Sequence, residues 1–163
     1  MKIIGNSLFS IAALILLSCS NYSQKKENIM ETKNPLEIVN KYLNIIFVEN
    51  KNGEGLTDML TEDFSFDDPF SKSSSAKAFI TNSQPWIKTK KTLRMQKQFV
   101  DSNLVCSIYT IDVLTLSGKT ESFDLADYIE LRNGKIAKEK VYFFDQVKFT
   151  KAMGFMEEYL KQY

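Results

Sequence analysis

The spacing of hydrophobic residues changes from helical to extended about halfway along the chain. Between Asn34 and Phe47, apolar side chains recur at helical spacing and cover roughly 200 degrees of the helix surface on a 3.6-residue period. The stretch "NPLE" fits a helix start, with Asn34 as the cap, Pro35 at the first helical position and Glu37 reaching back to the cap. We therefore predict a deeply packed first helix that carries Tyr42 on its buried side.

Shorter elements follow this helix. The polar run "NKNGEG" ends it, and "LTDMLTED" then predicts a short second helix. The stretch "FSFDDP" predicts a short strand that stops at Pro69, and residues 73–83 predict a third helix. The helices are thus concentrated in the first half of the domain.

The second half of the chain is dominated by long strands. Three turn signals, "DSN", "SGK" and "NG", divide residues 90–144 into four strands of about ten to thirteen residues, against a usual mean near six. Long neighbouring strands accumulate twist, so the antiparallel sheet must curl, and its concave side needs cover from the helices. We predict an α+β fold in which a strongly curved antiparallel sheet, with four long strands and a short one, wraps around N-terminal helices.

The C-terminal residues again have helical spacing. The stretch "DQVKFTKAMGFMEEYLKQY" predicts a helical extension from about residue 149, interrupted at Gly154. We expect it to dock against the sheet edge or a second subunit. Residues 104–116 are apolar on both faces of their strand, so the outer sheet face also needs cover. A homodimer through that face is predicted, with cover by the C-terminal helix as the alternative.

Charge and composition exclude several classes of function. The 163-residue chain has 21 Lys and Arg against 20 Asp and Glu, with no basic block, so nucleic acid is not an expected partner. It has no histidine, which removes the usual general base and the commonest metal ligand. We therefore expect neither a metal nor another cofactor, and any catalysis has to come from Asp, Glu, Tyr or Lys.

The N-terminus has the pattern of an export signal. Lys2 precedes an apolar run whose centre, Ile11–Leu17, is too short to span a bilayer. The following "LLSC" resembles the bacterial lipoprotein signal, which implies a signal peptide over residues 1–18 and acyl chains on Cys19. A plain secretory signal with an incidental cysteine is the alternative. Under the first interpretation the protein is anchored to a membrane of the bacterial cell envelope.

A polar segment separates this signal from the domain. Residues 20–33 have no hydrophobic period and are predicted to tether the lipidated Cys19 to a domain over residues 34–163. After processing Cys106 stands alone, which excludes an intrachain disulfide.

The order of the predicted elements resembles a known family. Two helices, "LTEDFSFDDPF", a helix with "AFITNS", and four strands ending "ADYIELRNGKIAKEKVYFFDQ" resemble the nuclear transport factor 2-like superfamily, and within it the SnoaL-like and ketosteroid isomerase-like proteins. The resemblance covers about residues 34–148. It implies a cone formed by a bent sheet and three helices around an apolar pocket for a small hydrophobic molecule.

The resemblance also implies three site residues. In the isomerase branch an aspartate just before a proline moves a proton next to a carbonyl group, and Asp68 matches it. A tyrosine on the first helix and a protonated aspartate on the third long strand donate hydrogen bonds to the developing enolate. Tyr42 and Asp127 match these. Strand alternation predicts that Phe64, Phe66, Phe123 and Leu125 line the pocket, and Trp86, which follows Pro85, is expected at the pocket mouth.

Each site residue has an alternative interpretation. Asp68 could cap a turn in "DPF", and Tyr42 could be an ordinary packed aromatic residue. If "NG" forms a two-residue turn, Asp127 lies opposite Lys140, and an ion pair would keep it charged; a bulge would change that register. Trp86 could belong to the core.

Two classes of function remain at this point. One is a ligand-binding pocket, with isomerase-like or cyclase-like proton transfer as an activity that it could support. The other is a non-catalytic interaction or structural domain of a lipoprotein. One fold can host both.

Overall fold

The first helix begins as the sequence predicts. The Asn34 side chain accepts a hydrogen bond from the Leu36 N–H at 3.1 Å, and Pro35 follows at the first helical position. The computed structural model describes residues 34–49 and 52–160, without the side chains of residues 158 and 159. The predicted signal peptide, lipid attachment site at Cys19 and tether lie outside the described residues.

Helices come first and long strands later, as predicted. The described residues form these elements in chain order: α1 (Pro35–Phe47), α2 (Leu56–Met59), β1 (Leu60–Asp67), β2 (Lys72–Ser73), α3 (Ala76–Asn82), α4 (Gln84–Lys88), β3 (Lys91–Asp101), β4 (Leu104–Leu114), β5 (Thr120–Arg132), β6 (Lys135–Phe143), α5 (Gln146–Met153) and α6 (Met156–Leu160). Within this part of the chain, no helix is both long enough and apolar enough to cross a membrane.

The strands form one curved, mixed sheet in the order β2-β1-β6-β5-β4-β3. Strands β3 to β6 make the predicted antiparallel meander. Strand β1 joins it by pairing in parallel with β6, which the sequence pattern did not indicate. α1 packs against β3, β4 and β6. Its buried side chains, including Tyr42, join those of the strands in a single core.

Two boundaries in the first half differ from the prediction. The second helix ends at Met59 rather than Asp63, because Leu60 already pairs with Ile136 of β6 and β1 runs for 8 residues. The third helix starts at Ala76, where the Ser75 side chain accepts a hydrogen bond from a backbone N–H. In both places, pairing between strands outweighs the local helical pattern.

The register of the β5–β6 hairpin determines which residue of β6 lies opposite Asp127. Its two-residue turn forms as predicted, and Arg132 pairs with Lys135. A bulge between Glu130 and Leu131 then shifts the register, so that Asp127 lies opposite Val141. The alternative of an ion pair between Asp127 and Lys140 is therefore wrong.

The C-terminal helices pack on the same chain. Phe149 of α5 is almost fully buried, and the N–H of Leu116, beyond the end of β4, donates to the Ala152 carbonyl at 3.2 Å. Gly154 separates α5 from α6, as the sequence predicted. The extension thus covers one end of the sheet and leaves the outer sheet face uncovered by it.

Candidate functional site

A cavity of about 300 Å³ lies inside the curve of the sheet. Half of the residues that line it are aromatic. These aromatic residues come from α1, α3, α4, α5, β1 and β6 and from the loops beside them. Asp68 and Glu139 contribute carboxyl groups to its wall, and Tyr42 contributes a hydroxyl group. The cavity is therefore largely apolar with a small number of hydrogen-bonding groups, as small-molecule sites usually are.

Phe149 is the centre of the aromatic wall. Its ring centroid lies 4.3 Å from that of Phe143, 5.6 Å from Phe70, 6.0 Å from Trp86 and 6.3 Å from Phe155. The sequence predicted that this C-terminal segment docks, but not that it completes the pocket. The helical spacing of residues 146–160 was visible, whereas the surface that it covers depends on tertiary packing.

The predicted pocket-lining residues divide into two groups. Phe66, Trp86 and Leu125 line the cavity, whereas Phe64 and Phe123 do not. Phe64 packs its ring against Phe79 and Phe123 packs against Phe149, each at 5.1 Å between centroids. Strand alternation gave the correct face in both cases. It could not show that another aromatic ring would cover these two residues.

Asp68 combines both interpretations of "SFDDPF". Its Oδ1 accepts hydrogen bonds from the N–H groups of Phe70 at 2.7 Å and Ser71 at 2.6 Å, so it does hold a turn. It also lines the cavity, and burial raises its pKa although these hydrogen bonds act in the opposite direction. Asp67 points away and lies 3.4 Å from Lys72 and 3.8 Å from Lys140.

Tyr42 is fully buried, and its hydroxyl donates a hydrogen bond to Oε2 of Glu139. Glu139 is also buried and lines the cavity. Burial first, and then the nearby Asp127, raise the pKa of Glu139 well above its usual range. Tyr42 therefore does more than pack in the core, because it holds a carboxyl group at the cavity wall.

Asp127 lies outside the lining of the cavity. It is fully buried, and its Oδ2 accepts a hydrogen bond from the Tyr109 hydroxyl at 2.7 Å. Its Oδ1 has no hydrogen-bond partner among the described residues. Burial raises the pKa of Asp127 to about 7. The carboxyl beside Tyr42 at the cavity is thus Glu139, where the resemblance led us to expect Asp127.

A sequence signal for Glu139 was present. In "EKVYF" Glu139 alternates with Val141 and Phe143, and all three line the cavity. An acidic residue in phase with apolar neighbours on a strand is expected to face the interior with them.

The arrangement can hold protons and present them to a bound molecule. Asp127 and Glu139 are buried close enough that the charge of one raises the pKa of the other, which disfavours ionising both. Each carboxyl is held by a tyrosine hydroxyl, and Asp68 provides another on the cavity wall. Among the described residues no cluster of three or more histidine, cysteine or acidic side chains is placed to hold a metal ion.

Comparison with solved structures shows the same fold in several bacterial proteins. A nuclear transport factor 2-like protein of unknown function from Cytophaga hutchinsonii is 24% identical, with a TM-score of 0.56, over 71% of this chain and 95% of its own. A candidate SnoaL-like polyketide cyclase from Jannaschia sp. is 12% identical, with a TM-score of 0.59, over 72% and 90%. TsrD from Streptomyces laurentii is 14% identical, with a TM-score of 0.61, over 74% and 95%.

The comparison of sequences gives the family directly. No curated protein matches the chain significantly. The family model described as the SnoaL-like domain matches residues 39–139, which include Tyr42, Asp68, Asp127 and Glu139. The chain belongs to the SnoaL-like domain family.

Proposed function

We propose that the domain binds a small hydrophobic molecule in the cavity between the helices and the curved sheet. The observation that carries this proposal is the lining itself, half of which is aromatic around a volume of about 300 Å³. That volume lies at the lower end of the usual range for small-molecule sites, roughly 300 to 1,000 Å³. Asp68, Glu139 and Tyr42 would contact the polar group of the ligand and fix its orientation.

The fluorescence of Trp86 tests this proposal. It is the only tryptophan of the chain and it lines the cavity, so its emission should change when the cavity is filled. Titration of the purified full chain with small aromatic compounds should give a saturable change. Val141→Phe should weaken binding by placing a ring in the cavity, whereas Tyr142→Phe on the outer face of the same strand should not. Equal binding by wild type and Val141→Phe would contradict the proposal.

Proton transfer is the second candidate function. It is favoured by Asp68, a partly buried carboxyl group on the same cavity as the Tyr42 hydroxyl. The pKa of Asp68 is raised, and its hydrogen bonds all go to Oδ1. Asp68 would take a proton next to a carbonyl group, and Tyr42 with Glu139 would stabilise the oxygen that becomes negative. Asp127, held by Tyr109, would act through its charge on Glu139.

A lipid anchor at Cys19 is part of the proposal. The apolar run ending in "LLSC" supports it, and the domain would then sit at a membrane of the bacterial cell envelope. Cys19→Ala should release the protein from the membrane fraction and leave the domain folded, since the domain begins at about Asn34. A mutant that stays at the membrane would contradict the anchor.

A homodimer through the outer sheet face completes the proposal. Phe99, Cys106 and Tyr128 lie opposite one another across β3, β4 and β5 on that face, and Ile108, Ala126 and Tyr142 form a parallel row. Phe99 is 50% exposed and Tyr142 49%, so an apolar surface is available. Phe149 of α5 and Phe155 line the cavity instead, which favours a second subunit as the cover.

A further inference from the structure

The side chains that can carry charge on the cavity wall are all acidic. Asp68 and Glu139 line the cavity, and no lysine or arginine is found among the described residues of the lining. Lys140 and Lys138 of β6, the strand that carries Glu139, lie close to acidic residues elsewhere, Lys140 3.8 Å from Asp67 and Lys138 3.7 Å from Glu130. The wall of the cavity therefore presents carboxyl groups with no basic side chain beside them among its described lining residues.

A third carboxyl stands behind this wall. Asp127 is fully buried, and its Oδ1 lacks a hydrogen-bond partner within the described chain. A buried carboxyl without a cationic partner is costly to ionise, and so is Glu139 beside it. A positive group in the cavity would lower that cost for both residues.

The aromatic wall favours the same kind of ligand. The faces of aromatic rings carry partial negative charge and attract cations, most strongly where water is excluded. Rings make up half of the lining, and Phe149 gathers several of them on one side. Rings together with carboxyl groups suit a cation that carries apolar substituents.

The basic group beside the Trp86 ring is occupied by other contacts. The Lys91 ammonium lies 4.8 Å from the centre of the Trp86 ring but is not part of the lining. It donates hydrogen bonds to the carbonyl oxygens of Trp86 at 2.6 Å and of Ile87 and Thr89, each at 3.2 Å. Lys91 thus caps the end of α4 from behind the Trp86 ring and gives the carboxyl groups no hydrogen bond.

We propose that the ligand of this cavity is a small organic cation, an amine or quaternary ammonium compound with apolar or aromatic substituents. The inference rests on the proposed function, because it concerns the same cavity and specifies the charge of its ligand. The apolar part of the ligand contacts the rings. Its positive nitrogen lies near the carboxyl groups of Asp68 and Glu139, where it replaces the basic side chain that the wall lacks.

Two probes of equal shape, one charged and one neutral, distinguish the contribution of charge to binding from that of hydrophobic contact. Phenyltrimethylammonium and tert-butylbenzene differ by nitrogen in place of one carbon, so their sizes match. Both are titrated into the full chain at pH 7.5, and Trp86 fluorescence measures binding. We expect the cation to bind about tenfold more tightly than the neutral compound, since each cation–ring contact without water contributes appreciably.

Variants identify the source of that preference. Asp68→Asn combined with Glu139→Gln should remove most of the preference for the cation and leave only the part that the rings contribute, and continued binding of tert-butylbenzene shows that the cavity is intact. Asp67→Asn is the control, since Asp67 points away toward Lys72 and Lys140, and it should leave the preference unchanged. Equal or tighter binding of the neutral compound by wild type overturns this inference and leaves the proposed function standing. Absence of binding by both probes overturns both.

Discussion

Asp127 and Glu139 each accept a hydrogen bond from a buried tyrosine, and both carboxyl groups have pKa values above their usual range because they are buried. Such groups make the folded state sensitive to pH. An acid whose pKa is raised on folding keeps its proton in the folded state at a pH where the unfolded chain has lost it. Ionisation then favours unfolding.

The first prediction concerns Asp127. Its pKa rises from 3.8 to about 7 on folding, so its contribution lowers the free energy of unfolding as pH increases through that window. Asp127→Asn keeps the shape of the side chain and removes its ionisation. The free energy of unfolding of this variant should therefore fall less between pH 4 and 8 than that of the wild type, by about a few kcal/mol for a pKa shift of this size. Urea unfolding of both proteins between pH 4 and 8 measures it. Parallel curves would show that Asp127 does not titrate in this range.

The second prediction contrasts neighbouring carboxyl groups in "SFDDPF". Asp68→Asn should weaken the turn by about 1 kcal/mol, since an amide oxygen accepts the N–H groups of Phe70 and Ser71 less strongly than a carboxylate does. It should also abolish any proton transfer. Asp67→Asn should do neither, because its ion pairs are exposed.

NMR titration of Asp68 and thermal melts of both variants provide the measurement. The pKa of Asp68 should lie above the usual range of an aspartate, because the side chain is partly buried. A titration of Asp68 within the usual range would leave the turn as its main role.

At the scale of residues, the direction of a side chain could be predicted from the sequence where alternation along a strand was sufficient. The inward direction of Phe66 and Leu125 followed from strand alternation, and the structure places both side chains in the lining of the cavity. The choice between Asp127 and Glu139 could not be made, since it depends on a bulge that no local pattern indicates.

At the scale of elements, the loop between α1 and α2 supports the helix that carries Trp86. A Cβ atom added at Gly53 would lie 2.9 Å from Leu56 Cδ1 and 3.3 Å from Ile87 Cδ1, and both of these side chains are buried. Ile87 is next to Trp86 in α4. The described part of this loop thus packs closely against the helix that carries Trp86, a residue of the cavity lining.

The third prediction uses two glycines with the same backbone conformation. Gly53 and Gly118 both have φ of 77 degrees, but a Cβ atom at Gly118 would meet nothing within 4 Å. Alanine at either position should cost about 1 kcal/mol for the left-handed backbone. Gly53→Ala should cost about 1 to 3 kcal/mol more, because the buried side chains of Leu56 and Ile87 would have to shift.

Chemical denaturation of both variants measures the difference. Equal losses of stability would mean that the loop can shift away from α4 at little cost.

The long strands and their turns were predictable because their turn residues are strong local signals. The meander β3 to β6 follows them almost to the residue. Strand β1 was underestimated, since its partner β6 lies more than sixty residues later in the chain and no local pattern reports such a pairing. For the same reason, the contribution of α5 to the cavity could not be predicted.

At the scale of the whole molecule, the proposed dimer determines whether the outer sheet face is solvent-exposed. We predict a dimer at micromolar concentration, which Phe99→Glu dissociates by placing charge on that face. Val100→Glu is a matched control: it is 45% exposed, next in sequence, and points to the other side of β3. Sedimentation velocity measures both. A wild-type monomer at micromolar concentration would contradict the dimer.

Strand β6 is central in the sheet but is the last strand in the described part of the chain, and this has a consequence for synthesis. The hydrogen bond between Tyr42 and Glu139 joins residues 97 positions apart, and β1 and β5 both pair with β6. The hairpins β3–β4 and β4–β5 can form early, because their partners are close in sequence. A chain that stops before Lys135 would leave β1 and β5 as two unpaired edges, which invite aggregation. The nascent protein thus stays incompletely folded, and without a binding cavity, until nearly its whole length has been made.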